Sequence, residues 1–143
     1  MKTALVYFSR GGNTRAIAEV IAQELGVAAV DVRKEQADVS NVDLLVVGSG
    51  TYGGRPGKEM VAYLESLKSV VGKKAACFST CASGDASKTL QALKDILNEK
   101  GYSTVDCFSC LGKWLFGLSR RGHPSEEEVE QAREFAKRLK SNA

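Results

Sequence analysis

The stretch FSRGGNT, residues 8–14, closes an apolar run and opens a segment with helical spacing of apolar residues. Its two adjacent glycines allow the backbone to fold inward so that its amide groups converge. Its serine, asparagine and threonine supply short polar side chains, and a helix start offers unpaired N–H groups to an anion. Taken alone, the stretch is equally compatible with a plain glycine turn capped by Asn13 or Thr14 and with a phosphate site.

Around this stretch, apolar runs alternate with amphipathic segments. The predicted strands cover residues 3–9, 28–33, 43–49, 74–80 and 103–110. A first helix is predicted over residues 13–25. Apolar residues at helical spacing predict three further helices. The second helix carries Met60, Leu64, Leu67 and Val71, the third carries Leu90, Leu93 and Leu97, and the fourth carries Val129, Ala132, Phe135 and Leu139. Such strands predict a parallel sheet covered by helices on both faces, an α/β fold of three layers. Residues 31–42 lack a strong apolar face, so the second crossover is the least defined.

Length and charge limit the function classes. The 143 residues suit a single domain, residues 1–143, with one core. The net charge of +3 is scattered and predicts no nucleic-acid partner. No apolar run approaches the length of a membrane span, and the short run at residues 3–8 has no cleavage site, so we expect a strand there and no membrane insertion. A cytoplasmic location is the resulting expectation.

Four cysteines, Cys77, Cys81, Cys107 and Cys110, lie in or beside predicted strands. We interpret them as small buried residues, with a zinc site, a disulfide or a redox role for Cys81 as less favoured alternatives. Residues three apart on a strand point to opposite faces, which argues against Cys107 and Cys110 as ligands of one metal.

The loops that follow the strands are rich in glycine, serine and threonine. They cover residues 9–14, 49–58, 79–86 and 110–124. In an open parallel sheet, ligands bind at the carboxyl ends of the strands, so these loops are predicted to form one site.

Three of these loops together resemble flavodoxins. The first is the strand followed by SRGGNT and a helix, the second is GSGTYGG at residues 48–54, and the third is FSTCASGD at residues 78–85. The resemblance extends in register over nearly the whole chain. It implies a five-stranded parallel sheet of order 2-1-3-4-5, with helices on both faces, and FMN as the cofactor.

The resemblance also implies roles for individual residues. The phosphate of FMN would be held by Ser9, Arg10, Gly11, Gly12, Asn13 and Thr14. The flavin ring would lie along Thr51, Tyr52, Gly53 and Gly54, and its pyrimidine edge near Thr80, Cys81, Ala82 and Gly84. Tyr52 would stack on the ring, the alternative being a loop tyrosine that packs on the protein. No residue is assigned as a catalytic acid or base.

The chain departs from flavodoxins at two points. The loop after the fourth predicted strand has no aromatic residue, so either the flavin is sandwiched differently or another segment supplies the ring. The candidate is the segment 112–122 with Trp114 and Phe116, the alternative for this segment being a hydrophobic lid. Flavodoxins are typically acidic, whereas this chain carries +3, and Arg10, Arg55, Arg120 and Arg121 could favour an anionic partner.

Three functions are compatible with these patterns. The resemblance favours an electron carrier that serves redox partner proteins through FMN bound without a covalent link. The second possibility is a small FMN-dependent oxidoreductase that uses NAD(P)H and a quinone. The third is a non-redox interaction module of the same fold.

Overall fold

The computed structural model describes residues 2–81, 86–111 and 126–141. The strands are β1 (Thr3–Phe8), β2 (Ala29–Asp31), β3 (Leu44–Tyr52), β4 (Arg55–Pro56), β5 (Lys73–Cys81) and β6 (Tyr102–Leu111). The helices are α1 (Asn13–Leu25), α2 (Lys58–Ser66), α3 (Ser87–Glu99) and α4 (Glu126–Ser141). Within these ranges, no helix combines the length and the apolar character that a membrane span requires.

The sheet confirms the predicted topology. Its parallel strands follow the order β2-β1-β3-β5-β6, which is the predicted order 2-1-3-4-5. The structure also contains a strand that was not predicted, β4, whose two residues pair antiparallel with the end of β3. This pairing arises because Gly53 and Gly54 form a two-residue turn with φ of 62° and 78°, the left-handed values that a type I′ hairpin needs.

Two apolar cores, one on each face of the sheet, confirm the three layers. Alternate residues of each strand point to opposite faces, so Val6 packs with α2 and α3 while Leu5 packs with α1 and α4. Cys107 and Cys110 likewise lie against opposite cores, as predicted. Burial on both faces explains why the central strands are continuously apolar.

Helix α2 is shorter than its apolar spacing predicted. The helix ends at Ser66, and Val71, expected on its buried face, is 93% exposed. The predicted extension of this helical face to Val71 is therefore wrong. The Lys100 ammonium donates to the carbonyl oxygens of Glu65 and Leu67, both at 2.8 Å, and so binds the carbonyl end of the helix.

The crossover from β2 to β3 contains no helix. Residues 32–43 are irregular, in keeping with their weak apolar pattern. Val32, Val39 and Val42 are nevertheless buried, and the Tyr63 hydroxyl donates to the Ala37 carbonyl at 2.8 Å. The three valines and the Tyr63 hydrogen bond help to attach the segment to the core beside α2.

Candidate functional site

The carboxyl ends of β1, β3 and β5 meet at one edge of the sheet. Phe8 is the register partner of Ser49, Ser49 is the partner of Ser79, and Gly50 is the partner of Thr80. The three loops singled out in the sequence therefore leave the sheet side by side.

The first loop presents an open helix start. The Gly12 N–H donates to the Ser9 Oγ at 3.0 Å, which closes a tight turn, and Gly12 has a φ of 91°. Because the residue before α1 is a glycine, no side chain caps this helix, and its first turn holds no acidic residue. A Cβ built on Gly11 or Gly12 would meet nothing within 4 Å. The loop thus combines backbone donors with free space and a favourable dipole, the requirements of a phosphate site.

Tyr52 lies against this loop. Its hydroxyl accepts a hydrogen bond from the Arg10 backbone N–H at 3.0 Å, and its ring meets Phe8 edge-on with centroids 5.7 Å apart. The Arg10 guanidinium lies 4.5 Å from the centre of the Tyr52 ring and 3.9 Å from Glu59. Burial raises the pKa of Tyr52 despite the hydrogen bond and charge of Arg10, so the hydroxyl is neutral. A phosphate oxygen and the Tyr52 hydroxyl would therefore compete for the Arg10 amide.

Two hydroxyl pairs connect the elements of the site. Thr14 on α1 and Thr80 on β5 are both buried, and their Oγ1 atoms are 2.8 Å apart. The Oγ1 of Thr51 lies 3.0 Å from the Oγ of Ser79. The first pair holds the start of α1 against the end of β5. The second connects β3 to β5 at the predicted flavin edge.

Arg33 and Asp31 are residues that the sequence interpretation missed. The Arg33 Nη2 donates to the Ser9 carbonyl at 2.9 Å, and its guanidinium lies 5.0 Å from the centre of the Phe8 ring. It also pairs with Asp31 at 3.1 Å. Burial would raise the pKa of Asp31, but the hydrogen bonds and charge of Arg33 outweigh burial and lower it. Arg33 follows β2 in a turn, where its backbone N–H donates to the Asp31 Oδ1 at 2.9 Å. The signal was therefore an aspartate two residues before the arginine, a spacing that favours such a turn.

A cationic cavity of about 140 Å³ adjoins the loop on the β2 side. Its lining includes Arg10, Arg15, Arg33 and Lys34 together with Ser9 and Gly12. Tyr7 and Asp31 complete the lining, so four cationic residues face a single carboxylate and this side of the loop attracts anions.

The remaining predicted residues fall into two groups. Asn13 is the first residue of α1, and Cys81 is buried at the end of β5. Arg55 is exposed on β4, opposite Tyr52 in the hairpin. Outside the described residues lie Ala82, Gly84, Trp114, Phe116, Arg120 and Arg121.

The described residues fit the phosphate of FMN. The glycine loop, the uncapped start of α1 and two guanidinium groups provide donors and positive charge where a phosphate needs them. The aromatic ring of Tyr52 lies within reach of the same loop, which suits the flavin end of the molecule.

Comparison with known proteins identifies the family. Residues 4–121 match the flavodoxin domain. An uncharacterized protein of Methanocaldococcus jannaschii is 32% identical over 151 aligned positions, which span 99% of this chain and 100% of that protein. Oxidised flavodoxin 2 from Bacillus cereus shares the fold with a TM-score of 0.81 and 21% identity over 100% of both chains.

A second solved structure agrees with this assignment of fold. A flavodoxin from the domain Archaea has a TM-score of 0.76 and 19% identity, covering 95% of this chain and 94% of its own. The family match spans most of the chain, and the loops at the carboxyl edge suit a flavin phosphate. This chain therefore belongs to the flavodoxin family, with FMN as its cofactor.

Proposed function

We propose that this flavodoxin-family protein is an electron carrier that takes electrons from one redox protein and delivers them to another. The observation that supports this proposal most strongly is the open glycine loop at the start of α1, beside the Thr14–Thr80 pair. The described residues of this edge supply amides, hydroxyls, guanidinium groups and the aromatic rings of Phe8 and Tyr52. Such groups hold and orient a cofactor, whereas a turnover enzyme also needs groups that handle its substrate.

The proposed binding residues are those of the sequence prediction. The phosphate is assigned to Ser9, Arg10, Gly11, Gly12, Asn13 and Thr14, the flavin ring to Thr51, Tyr52, Gly53 and Gly54, and the pyrimidine edge to Thr80, Cys81, Ala82 and Gly84. FMN supplies one- and two-electron redox chemistry, and hydrogen bonds from the surrounding amides set its potential. Gly53 and Gly54 already occupy left-handed conformations, so this turn can change its peptide orientation at little steric cost.

Binding requires Tyr52 to move. Its hydroxyl must leave the Arg10 amide before the ring can stack on the flavin and before the phosphate can use that amide. Breaking one such hydrogen bond costs about 1 kcal/mol. A charge-assisted bond from the same amide to a phosphate oxygen is roughly twice as strong, so the exchange favours the bound state.

The charge of the site favours an acidic partner. Arg10, Arg15, Arg33 and Lys34 are exposed around the phosphate loop, and the chain carries a net charge of +3. Protein surfaces of opposite charge associate faster than neutral ones, and added salt lowers the association rate. We therefore expect electron transfer to an acidic redox protein to slow with rising ionic strength.

The cytoplasmic location remains a prediction.

The cationic cavity beside the loop favours a second candidate, the NAD(P)H-dependent quinone reductase. Its four cationic side chains could hold a nicotinamide dinucleotide phosphate. Steady-state oxidation of NADPH by the FMN-loaded protein, with a water-soluble quinone as acceptor, separates the two functions. A carrier oxidises NADPH no faster than the same concentration of free FMN, but after chemical reduction it passes electrons to an oxidised redox protein. Sustained NADPH turnover would replace the carrier proposal with the reductase.

A further inference from the structure

Two cysteine side chains are neighbours across the sheet. Cys77 on β5 is the register partner of Cys107 on β6, and both lie against the core beneath α2 and α3. Neighbouring strands are about 4.7–4.9 Å apart. This spacing falls within the range of roughly 4.4–6.8 Å between Cα atoms that a disulfide requires. The two thiols are free and share one face of the sheet, so the backbone already meets the main requirement for a bond between them.

The two thiols differ in access. Cys77 is fully buried, whereas Cys107 is only partly buried on the edge strand. A small reagent from solvent therefore reaches Cys107 first. Cys77 is sheltered from the reagent but is placed to react with whatever forms on its neighbour.

The two thiols also differ in protonation. The Cys77 thiol donates a hydrogen bond to the Cys107 sulfur and lowers the pKa of Cys107 to about 7, with a further lowering by Lys94 on α3, while burial and Asp106 act in the opposite sense. The same hydrogen bond, together with burial, raises the pKa of Cys77 well above its ordinary value. Near neutral pH, Cys107 is therefore substantially thiolate, the nucleophilic form, while Cys77 keeps its proton.

The other two cysteines provide a contrast within the same chain. Cys110 lies against the opposite core, and burial, with Glu128, raises its pKa to about 12. Cys81 is buried at the end of β5, where its register partner is Leu111. Neither has the combination of partial exposure and a register-partner thiol that Cys107 has.

We propose that Cys107 and Cys77 form a peroxide-reactive dithiol that closes reversibly into a disulfide between β6 and β5. The Cys107 thiolate attacks one oxygen of hydrogen peroxide, the O–O bond breaks and Cys107 becomes a sulfenic acid. The hydroxide that leaves takes up from solvent the proton that Cys107 released on ionising, and becomes water. The Cys77 sulfur then attacks the Cys107 sulfur, the S–O bond breaks, and the leaving hydroxide takes the Cys77 proton as water. Two thiols lose two electrons in total and one peroxide becomes two waters. A dithiol reductant reverses the closure by exchange.

The test uses the reduced full-length chain, kept in the dark, with hydrogen peroxide as the probe. We expect the intact mass to fall by two hydrogens and the thiol count under denaturing conditions to fall from four to two. Peptide mapping should join the peptides that contain Cys77 and Cys107, and dithiothreitol should restore both thiols. A disulfide that includes Cys81 or Cys110 would overturn the proposal, as would peroxide oxidation without any disulfide.

Matched variants assign the two roles. In Cys77→Ser, Cys107 should stop at the sulfenic acid, which dimedone traps, and no disulfide should form. Cys107→Ser should lose the fast reaction, whereas Cys110→Ser should retain the closure. The oxidation rate of the natural chain should rise with pH with a midpoint of about 7. A midpoint near the ordinary cysteine value of about 8.5, or a Cys107→Ser variant that reacts as fast as the natural chain, would contradict the assignment.

Discussion

The hydroxyl of Tyr52 accepts a hydrogen bond from the backbone N–H of Arg10 at 3.0 Å, across 42 positions of sequence. This contact holds the ring expected to stack on the flavin against the loop expected to hold the phosphate. One donor of the phosphate site is therefore occupied by the protein itself. The contact makes the two ends of the FMN site interdependent, because each must release the other when the cofactor binds.

Replacing the hydroxyl alone should tighten FMN binding. Tyr52→Phe keeps the ring for stacking but frees the Arg10 amide, and one hydrogen bond is worth about 0.5–1.5 kcal/mol. We expect the dissociation constant for FMN, measured by quenching of flavin fluorescence, to fall by up to about tenfold. Tyr63→Phe is the control, because the Tyr63 hydroxyl binds the Ala37 carbonyl and should leave the affinity unchanged. Weaker binding by Tyr52→Phe would show that the hydroxyl contributes to the bound state instead.

The Thr14–Thr80 pair should behave as a coupled unit. Thr80→Val leaves the buried Thr14 hydroxyl without this partner, at a cost of about 1–3 kcal/mol in the free energy of unfolding. Thr14→Val likewise leaves the buried Thr80 hydroxyl without this partner and should lower the free energy of unfolding by a similar amount. The double variant loses the hydrogen bond only once, so its loss of stability should be smaller than the sum of the two single losses. Urea unfolding of the FMN-free protein measures all four corners of the cycle. Strictly additive losses would contradict the coupling.

The two loop glycines should differ in their tolerance of alanine. Gly12 has a φ of 91°, so Gly12→Ala should destabilise the protein by about 1–2 kcal/mol. Gly11 has no positive φ, and a Cβ there would meet nothing within 4 Å, so Gly11→Ala should change the stability by less than about 0.5 kcal/mol. Denaturant unfolding of both FMN-free variants makes the comparison. Equal losses at the two positions would mean that the loop differs from the conformation described above.

Asp31 should make stability depend on acid pH. Its pKa is lower in the folded protein, chiefly because the hydrogen bonds and charge of Arg33 outweigh burial, so the unfolded chain binds more protons as pH falls. The stabilisation is complete above the unfolded pKa of about 3.9 and is lost as pH falls through the folded pKa. Asp31→Asn should therefore be less stable than the natural chain at pH 7, with a difference that shrinks in the acid range.

Urea unfolding between about pH 2 and pH 7 gives this difference directly. Asp95→Asn, at an exposed position on α3, is the matched control for the same change of residue away from Arg33. A deficit in Asp31→Asn that stays constant over the range would show that lost packing, and not the ionised carboxylate, is responsible.

The fold was predictable where the pattern is local. Helix α1 was predicted over residues 13–25 from its apolar spacing, and the structure has the same bounds, with Gly26 ending the helix at a φ of 73°. The end of α2 was not predictable, because the ammonium that binds its last carbonyls belongs to Lys100, more than 30 positions away. Apolar spacing alone carries no information about such a partner.

The candidate site was predictable in composition but not in arrangement. The loops meet at one edge because parallel strands present their carboxyl ends there, which the alternating pattern implies. The Tyr52–Arg10 contact and the part played by Arg33 depend on side chains that meet only after the sheet forms. A pattern of residue types along the chain does not specify those contacts.

Titration of the FMN-free protein with FMN tests the central claim, that the glycine loop and Tyr52 form a flavin site, most directly. We expect a one-to-one complex, with quenched flavin fluorescence and shifted visible absorbance bands. Gly12→Ala should bind FMN more weakly than Gly11→Ala, because the left-handed turn at Gly12 shapes the phosphate loop. A natural chain that folds, is colourless once unbound FMN is removed and leaves the fluorescence of FMN unchanged would contradict the presence of a flavin site.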